Sequence, residues 1–307
     1  MTTTALSASG LTKCYGSRTA VDHLDIELPR GVAAGFVGPN GSGKTTTMAM
    51  LLGLVRPTSG TATVLGESIA EPNAYLHRVG ALIESPAFYP ALSGAENLRV
   101  FATVGHHDES SIPHLLDTVG LGDRGDDRYR SYSLGMKQRL GIAAALLGDP
   151  ELLILDEPAN GLDPQGVREM RELISALAET GRTVLVSSHD LSELEQVCDW
   201  LVLIDTGRSL YQGPTRALLD GVVAGLAVVP HDHRDQASLY DLLVADGHRV
   251  DMQDERLVVS VDQSDIGALA ASVNRQAFEA GIVLVELSPI RTTLEDHYLT
   301  MVSGGAR

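Results

Sequence analysis

Basic residues are scarce in this chain. Lys and Arg total 23 against 40 Asp and Glu, a formal charge of -17 over 307 residues. Broad nucleic-acid binding needs a cationic face to neutralise phosphates, and this balance argues against it. One local basic site is still compatible with the total. Long apolar runs are also missing: the longest candidate, residues 221–230 (GVVAGLAVVP), is far shorter than the ~20 apolar residues of a membrane-spanning helix. The opening MTTTALSASG has neither the basic flank nor the apolar stretch of an export leader, so a soluble, cytoplasmic chain is expected. Cysteine occurs only at Cys14 and Cys198, without C-x-x-C or histidine spacing, and both read as reduced structural thiols. His106, His107 and Asp108, like His231, Asp232 and His233, are too closely spaced to converge on one ion in regular structure and read as solvated loops.

What is present is a length that favours two domains. Residues 32–37 (VAAGFV) form a short apolar run that meets a Gly-rich turn and then a helix-compatible stretch, 44–54. A second such unit starts at 152–155 (LLIL), turns at 156–164 and continues into a helix over 165–179. Residues 183–187 and 200–205 are further buried strands, separated by a helical 191–197, so the first two-thirds reads as a parallel α/β sheet. Residues 85–150 lack strand signals and read as a helical subdomain inserted in that core. After Gly221 the pattern becomes β-α-β-β-α-β, the ferredoxin-like split unit of a small α+β domain. The predicted division is therefore 1–220 and 221–307, with a last helix from Thr292, whose T-x-x-E with Glu295 fits a capping box.

Residues 38–45, GPNGSGKT, satisfy G-x-x-x-x-G-K-[ST] in the required context of strand before and helix after. Backbone N-H groups of such a loop turn inward around a triphosphate, and the helix N-terminus adds partial positive charge. Gly38, Pro39, Asn40, Gly41, Ser42, Gly43, Lys44, Thr45 and Thr46 are thus candidate ATP-binding residues. Lys44 would bridge the terminal phosphates, and the Thr45 hydroxyl would ligate Mg²⁺. Asp156 and Glu157 close the LLIL run. In phosphoryl transfer the first fits a Mg²⁺-directed carboxylate and the second the group that orients or deprotonates the attacking water.

The ordered series GPNGSGKT, YSLGMKQRL at 132–140, LLILDEPANGLDP at 152–164 and SSHD at 187–190 resembles the ATP-binding subunit of an ABC transporter, over about the first 220 residues. The fold implied is the ABC type of P-loop NTPase. The resemblance implies that Tyr15 stacks on adenine, that Glu157 is the catalytic carboxylate and that His189 contacts the γ-phosphate. It also implies that Ser133, Gly135, Met136 and Asp163 act on ATP held by a second copy, so that hydrolysis needs a dimer. Two positions depart from the family pattern. Leu134, Gly135 and Met136 stand where two glycines and a glutamine are usual, and Glu84 replaces a customary glutamine.

Glu84, the NGLDP turn and the SLGMK element resemble the branch that exports antimicrobial peptides and drugs, typified by bacitracin and lantibiotic systems. In that reading Glu84 is a third carboxylate near the metal, catalytic or Mg²⁺-directed, in a loop facing the membrane partner. The resemblance implies a separate integral membrane permease, with this chain held through it at the inner face of the membrane. An importer ATPase with a regulatory tail would share most of these motifs. A non-transport ABC protein acting on ribosomes or DNA is disfavoured by the single ATPase unit and by the absence of inserted coiled coils or zinc sites.

Overall fold

The computed structural model describes residues 4–84, 87–219, 223–253, 256–260, 266–291, 298 and 301. They form two compact units, 1–216 with 298–307, and 217–297. The expected helix from Thr292 and the boundary at Gly221 lie outside the described residues. Tyr298 groups with the first unit, where burial, and then Asp205, push its hydroxyl pKa up.

The first unit carries two sheets. Strands β1 (Thr4–Tyr15) and β2 (Arg18–Pro29) form an antiparallel hairpin, joined by β4 (Ser59–Val64) and β5 (Glu67–Ser68) in the order β2-β1-β4-β5. Along β2 the buried residues Leu24, Ile26 and Leu28 alternate with exposed ones, the period of a strand with one face on the core. This antiparallel sheet is absent from the expectation of a purely parallel core. The reason is local: β1 shifts register between Ala8 and Leu11, around Gly10 at φ 57, which breaks the alternation that would mark it.

The second sheet has the order β10-β9-β3-β8-β7-β6. It comprises β3 (Ala33–Val37), β6 (Val79–Leu82), β7 (Leu152–Leu155), β8 (Thr183–Ser188), β9 (Trp200–Asp205) and β10 (Arg208–Pro214). All neighbours are parallel except β10 on β9. Strands β3, β7 and β8 are buried at every residue, which explains why they read as unbroken apolar runs. Helix α1 (Lys44–Leu51) follows β3, and its Met48 and Leu51 join Leu24, Phe36, Ile154 and Val202 in the core. Fully burying each such side chain stabilises by about 1.5–3 kcal/mol. Tyr75 is also fully buried, and its hydroxyl donates to the Leu51 carbonyl at 2.8 Å.

Between β6 and β7 the described residues hold only helices and loops: α2 (Gly94–Gly105), α3 (Ile112–Thr118) and α4 (Leu134–Ala145). Ser93 and Glu96 close α2 with a full capping box. Helices α5 (Pro164–Glu179), α6 (Leu191–Glu195) and α7 (Thr215–Leu219) complete the order. Cys198 is buried, and burial pushes its thiol pKa far up, so it stays protonated.

The second unit runs β11 (Val223–Pro230), α8 (Gln236–Ala245), β12 (Val250–Gln253), β13 (Arg256–Ser260), α9 (Ile266–Glu279), β14 (Leu284–Arg291). Its sheet order β12-β13-β11-β14 is antiparallel throughout. The β11 and β12 strands of the first β-α-β thus flank β13, the ferredoxin-like arrangement that the sequence pattern implies. Leu226, Val228, Leu239, Leu257, Val259 and Val273 fill its core. No helix among the described residues is long and apolar enough to cross a membrane.

Candidate functional site

The site gathers at the carboxyl ends of β3, β7 and β8. The loop after β3 turns back over itself through Gly41 at φ 82 and Gly43 at φ 106, conformations that glycine adopts without steric cost. Space is equally limiting. A Cβ on Gly38 would fall 2.3 Å from the Ile204 carbonyl oxygen, and one on Gly43 2.5 Å from that of Ala20. Pro39, Asn40 and Gly41 are exposed, Ser42, Gly43 and Lys44 are buried, and Thr45 and Thr46 open α1 at the surface.

Lys44 is only 5% exposed, and its Nζ donates to the Gly38 carbonyl at 2.7 Å. The same ammonium lies 3.4 Å from Glu157 Oε1. Glu157 Oε2 in turn lies 3.2 Å from His189 Nδ1. Thr45 Oγ1 donates to Asp156 Oδ2 at 2.7 Å. The structure therefore brings five of the sequence-derived candidates, Lys44, Thr45, Asp156, Glu157 and His189, into one contiguous cluster.

One residue that sequence reasoning left without a role completes this cluster. Ser187, wholly buried at the end of β8, donates to Asp156 Oδ1 and accepts the Glu157 N-H at 2.9 Å. It fixes both carboxylates, and its only signal in the sequence is its place in SSHD. Ser42, already a candidate in the phosphate loop, is 3% exposed, and among the described residues its Oγ has no hydrogen-bond partner. A buried hydroxyl without a partner costs free energy, and in a loop with the phosphate-binding sequence pattern it fits a phosphate oxygen. The Thr45 hydroxyl and Asp156 carboxylate are hard oxygen donors. They fit Mg²⁺, which is typically held by one or two carboxylates together with substrate phosphates.

The remaining candidates lie apart from this cluster. Tyr15, at the end of β1, is 50% exposed, with Lys13 Nζ 5.0 Å from its ring centroid. Ser133 caps α4, its Oγ accepting the Met136 N-H at 3.2 Å. Asp163 caps α5 by accepting the Gly166 N-H at 2.8 Å. Leu134 and Gly135 pack beside the segment before α5, since a Cβ on Gly161 would lie 3.2 Å from Leu134 Cδ2 and one on Gly135 3.7 Å from Leu162 Cδ2. Among the described residues no hydrogen bond or ion pair joins Ser133, Gly135, Met136 or Asp163 to the phosphate loop.

Glu84 follows β6, exposed and at φ 59. Strand β6 lies beside β7, and the Asp156 N-H donates to the Leu82 carbonyl at 2.8 Å, so Glu84 leaves the sheet next to the paired carboxylates. It has no side-chain partner among the described residues. Asn97, fully buried, accepts the Tyr89 N-H at 2.7 Å and donates to the Tyr89 and Ser93 carbonyls, tying the end of that loop to α2.

A cavity of about 150 Å³ lies behind Glu157 and His189 rather than over the phosphate loop. Met170, Ile174, Val186 and Leu194 are among its walls. Besides Glu157, Asp190 and Glu193 border it. The Ser192 hydroxyl is the main influence holding Asp190 below the usual carboxylate range. Burial, reinforced by Asp190, pushes the Glu193 pKa up.

A model of the ABC transporter family matches residues 21–160. The bacitracin transport ATP-binding protein BcrA of Bacillus licheniformis is 38% identical over 98% of both chains. The lantibiotic transport ATP-binding protein SrtF of Streptococcus pyogenes is 42% identical over 67% of this chain and 90% of its own. Among solved structures, an ATP-binding subunit of an ABC transporter is 30% identical with a TM-score of 0.62, covering 70% of this chain and 91% of that one.

Proposed function

The chain belongs to the ABC transporter family, and from that premise we propose that it is the ATP-hydrolysing subunit of an exporter for a drug, antimicrobial peptide or similar compound. The observation that carries the chemistry is the contiguous cluster of Lys44, Thr45, Asp156, Glu157 and His189. The export reading is supported by similarity along almost the full length to a bacitracin transport ATP-binding protein.

In this mechanism the phosphate loop binds ATP through its backbone N-H groups, and Lys44 neutralises the terminal phosphates. Thr45 and Asp156 would hold Mg²⁺, which would supply charge neutralisation for the transferred phosphoryl group. Glu157 accepts the proton of the attacking water or orients it. His189, within reach of Glu157, holds that carboxylate and reaches the γ-phosphate side of the site. Ser133, Gly135, Met136 and Asp163 serve the site of a second copy, and Tyr15 stacks on the adenine. A separate integral membrane permease converts closure of the dimer around nucleotide into efflux, with this chain peripheral at the inner face of the membrane.

The test uses two variants of the purified chain. Lys44→Ala should lose both hydrolysis and ATP-dependent dimerisation, because the ammonium that neutralises the phosphates is gone. Glu157→Gln should still bind ATP and should accumulate as a stable ATP-bound dimer in size-exclusion chromatography. Tight ATP-dependent dimers of Lys44→Ala would contradict the mechanism.

A further inference from the structure

Arg18 opens β2 directly after the turn from β1, paired in register with Tyr15. This hairpin is fixed against the phosphate loop, because the Ala20 carbonyl and Val21 side chain lie so close to Gly43 that no Cβ fits between them. At the outer part of the same loop, Arg18 Nη2 lies 3.7 Å from the place a Gly41 Cβ would take. The guanidinium therefore sits over the loop that carries the phosphate-binding pattern G-x-x-x-x-G-K-T.

Arg18 is exposed and, among the described residues, its guanidinium has neither a hydrogen-bond nor an ion-pair partner. Many other arginines are neutralised: Arg30 and Arg78 share Glu151, Arg182 meets Asp149, and Arg208 meets Asp22. In a chain with 40 acidic residues, a guanidinium left without a carboxylate beside an anion-binding loop is placed for an anion. Lys13 narrows the geometry further. Its Nζ lies over the Tyr15 ring and donates to the Arg56 carbonyl at 2.7 Å, so one face of the ring is occupied. A base on the other face and a terminal phosphate at Lys44 leave the phosphate chain running past Arg18.

We propose that Arg18 is a nucleotide-binding residue whose guanidinium contacts the phosphate chain of the nucleotide, an inference that rests on the ATP-binding reading above. The planar fork of arginine suits two phosphate oxygens at once, which a lysine ammonium cannot match. Such a contact adds affinity for nucleotides that carry the phosphate chain and none for the nucleoside.

The experiment is equilibrium calorimetry of the purified chain with ATP, ADP and adenosine, for wild type, Arg18→Gln and Arg18→Lys, at low and moderate salt. Arg18→Gln should weaken ATP and ADP by about tenfold, as a hydrogen bond to a charged group implies. Arg18→Lys should recover part of the loss, and adenosine should be unaffected. Added salt should shrink the difference, since the site is exposed. Unchanged melting temperatures without nucleotide establish that the variants fold. The proposal is overturned if ATP and ADP affinities stay within about twofold of wild type, or if adenosine weakens as much as ATP. Normal ATP affinity with lost dimerisation would also overturn it, assigning the guanidinium to a second copy. Failure of the wild-type chain to bind ATP would instead remove the underlying reading.

Discussion

Ser187→Ala should destabilise the protein and slow hydrolysis together, although Ser187 belongs to no group expected to touch nucleotide. The hydroxyl has two duties, donating to Asp156 Oδ1 and accepting the Glu157 N-H. Its residue is 0% exposed, and the void left by one hydroxyl is too small to admit a water. Removing a hydrogen bond to an ionised acceptor costs about 1.5–3 kcal/mol, and leaving a buried N-H unpaired costs about 1–3 kcal/mol. The two losses share one atom and overlap, so a net fall of about 2–4 kcal/mol in unfolding free energy is expected. Glu157 sits at φ 46, a conformation that costs about 1–3 kcal/mol outside glycine and persists only where its surroundings over-determine it. Loss of its N-H anchor frees that backbone to relax and moves the carboxylate away from Lys44 and His189. The kcat should then fall by at least about tenfold, in keeping with the penalty for small misplacements of reacting groups. Urea unfolding followed by circular dichroism measures the first effect and steady-state phosphate release the second. A stability loss below about 0.5 kcal/mol with wild-type hydrolysis would refute the argument that Ser187 fixes the paired carboxylates.

Three further outcomes follow from the same geometry. Glu84→Gln changes charge without changing backbone cost, because neither side chain favours φ 59; it should raise the Mg²⁺ concentration needed for half-maximal hydrolysis or alter transport coupling, and no change in either removes the special role of Glu84. Glu193 has its pKa raised above 4.5 by burial and Asp190, so its stabilising contribution is complete below that value and lost as pH rises through the folded pKa; Glu193→Gln should melt higher than wild type near neutral pH, with the gap closing in acid. Gly43→Ala forces a Cβ to within 2.5 Å of the Ala20 carbonyl oxygen at φ 106; it should abolish ATP binding in calorimetry, and wild-type affinity would show that the loop tolerates a side chain there.

The parallel sheet and the second unit were legible for different reasons. Strands β3, β7 and β8 are buried on both faces and therefore show as continuous apolar runs with turns after them. In the second unit, α8 and α9 separate the strands so clearly that the strand order follows from the pattern β-α-β-β-α-β. The hairpin β1–β2 was not legible. Its register shifts, Gly10 at φ 57 and His23 at φ 50 interrupt the two-residue period on which strand reading depends.

The candidate site divides along a similar line. The phosphate loop and the Asp156–Glu157 pair are local in sequence and carry their own context, whereas Ser187 and Arg18 matter through neighbours distant in the chain or through a missing partner, which sequence does not display. Ser133 shows how structure sharpens a motif residue even where its proposed partner is a second copy. Its oxygen accepts the Met136 N-H as the cap of α4, which holds the side chain against the helix end. A hydroxyl that accepts in this way still has its proton to donate. The proposed contact to a γ-phosphate would thus combine that proton with the partial positive charge at the start of a 12-residue helix. Leu134 and Met136, in place of the customary polar and small residues, leave both contributions intact, because neither the cap nor the helix end depends on their side chains.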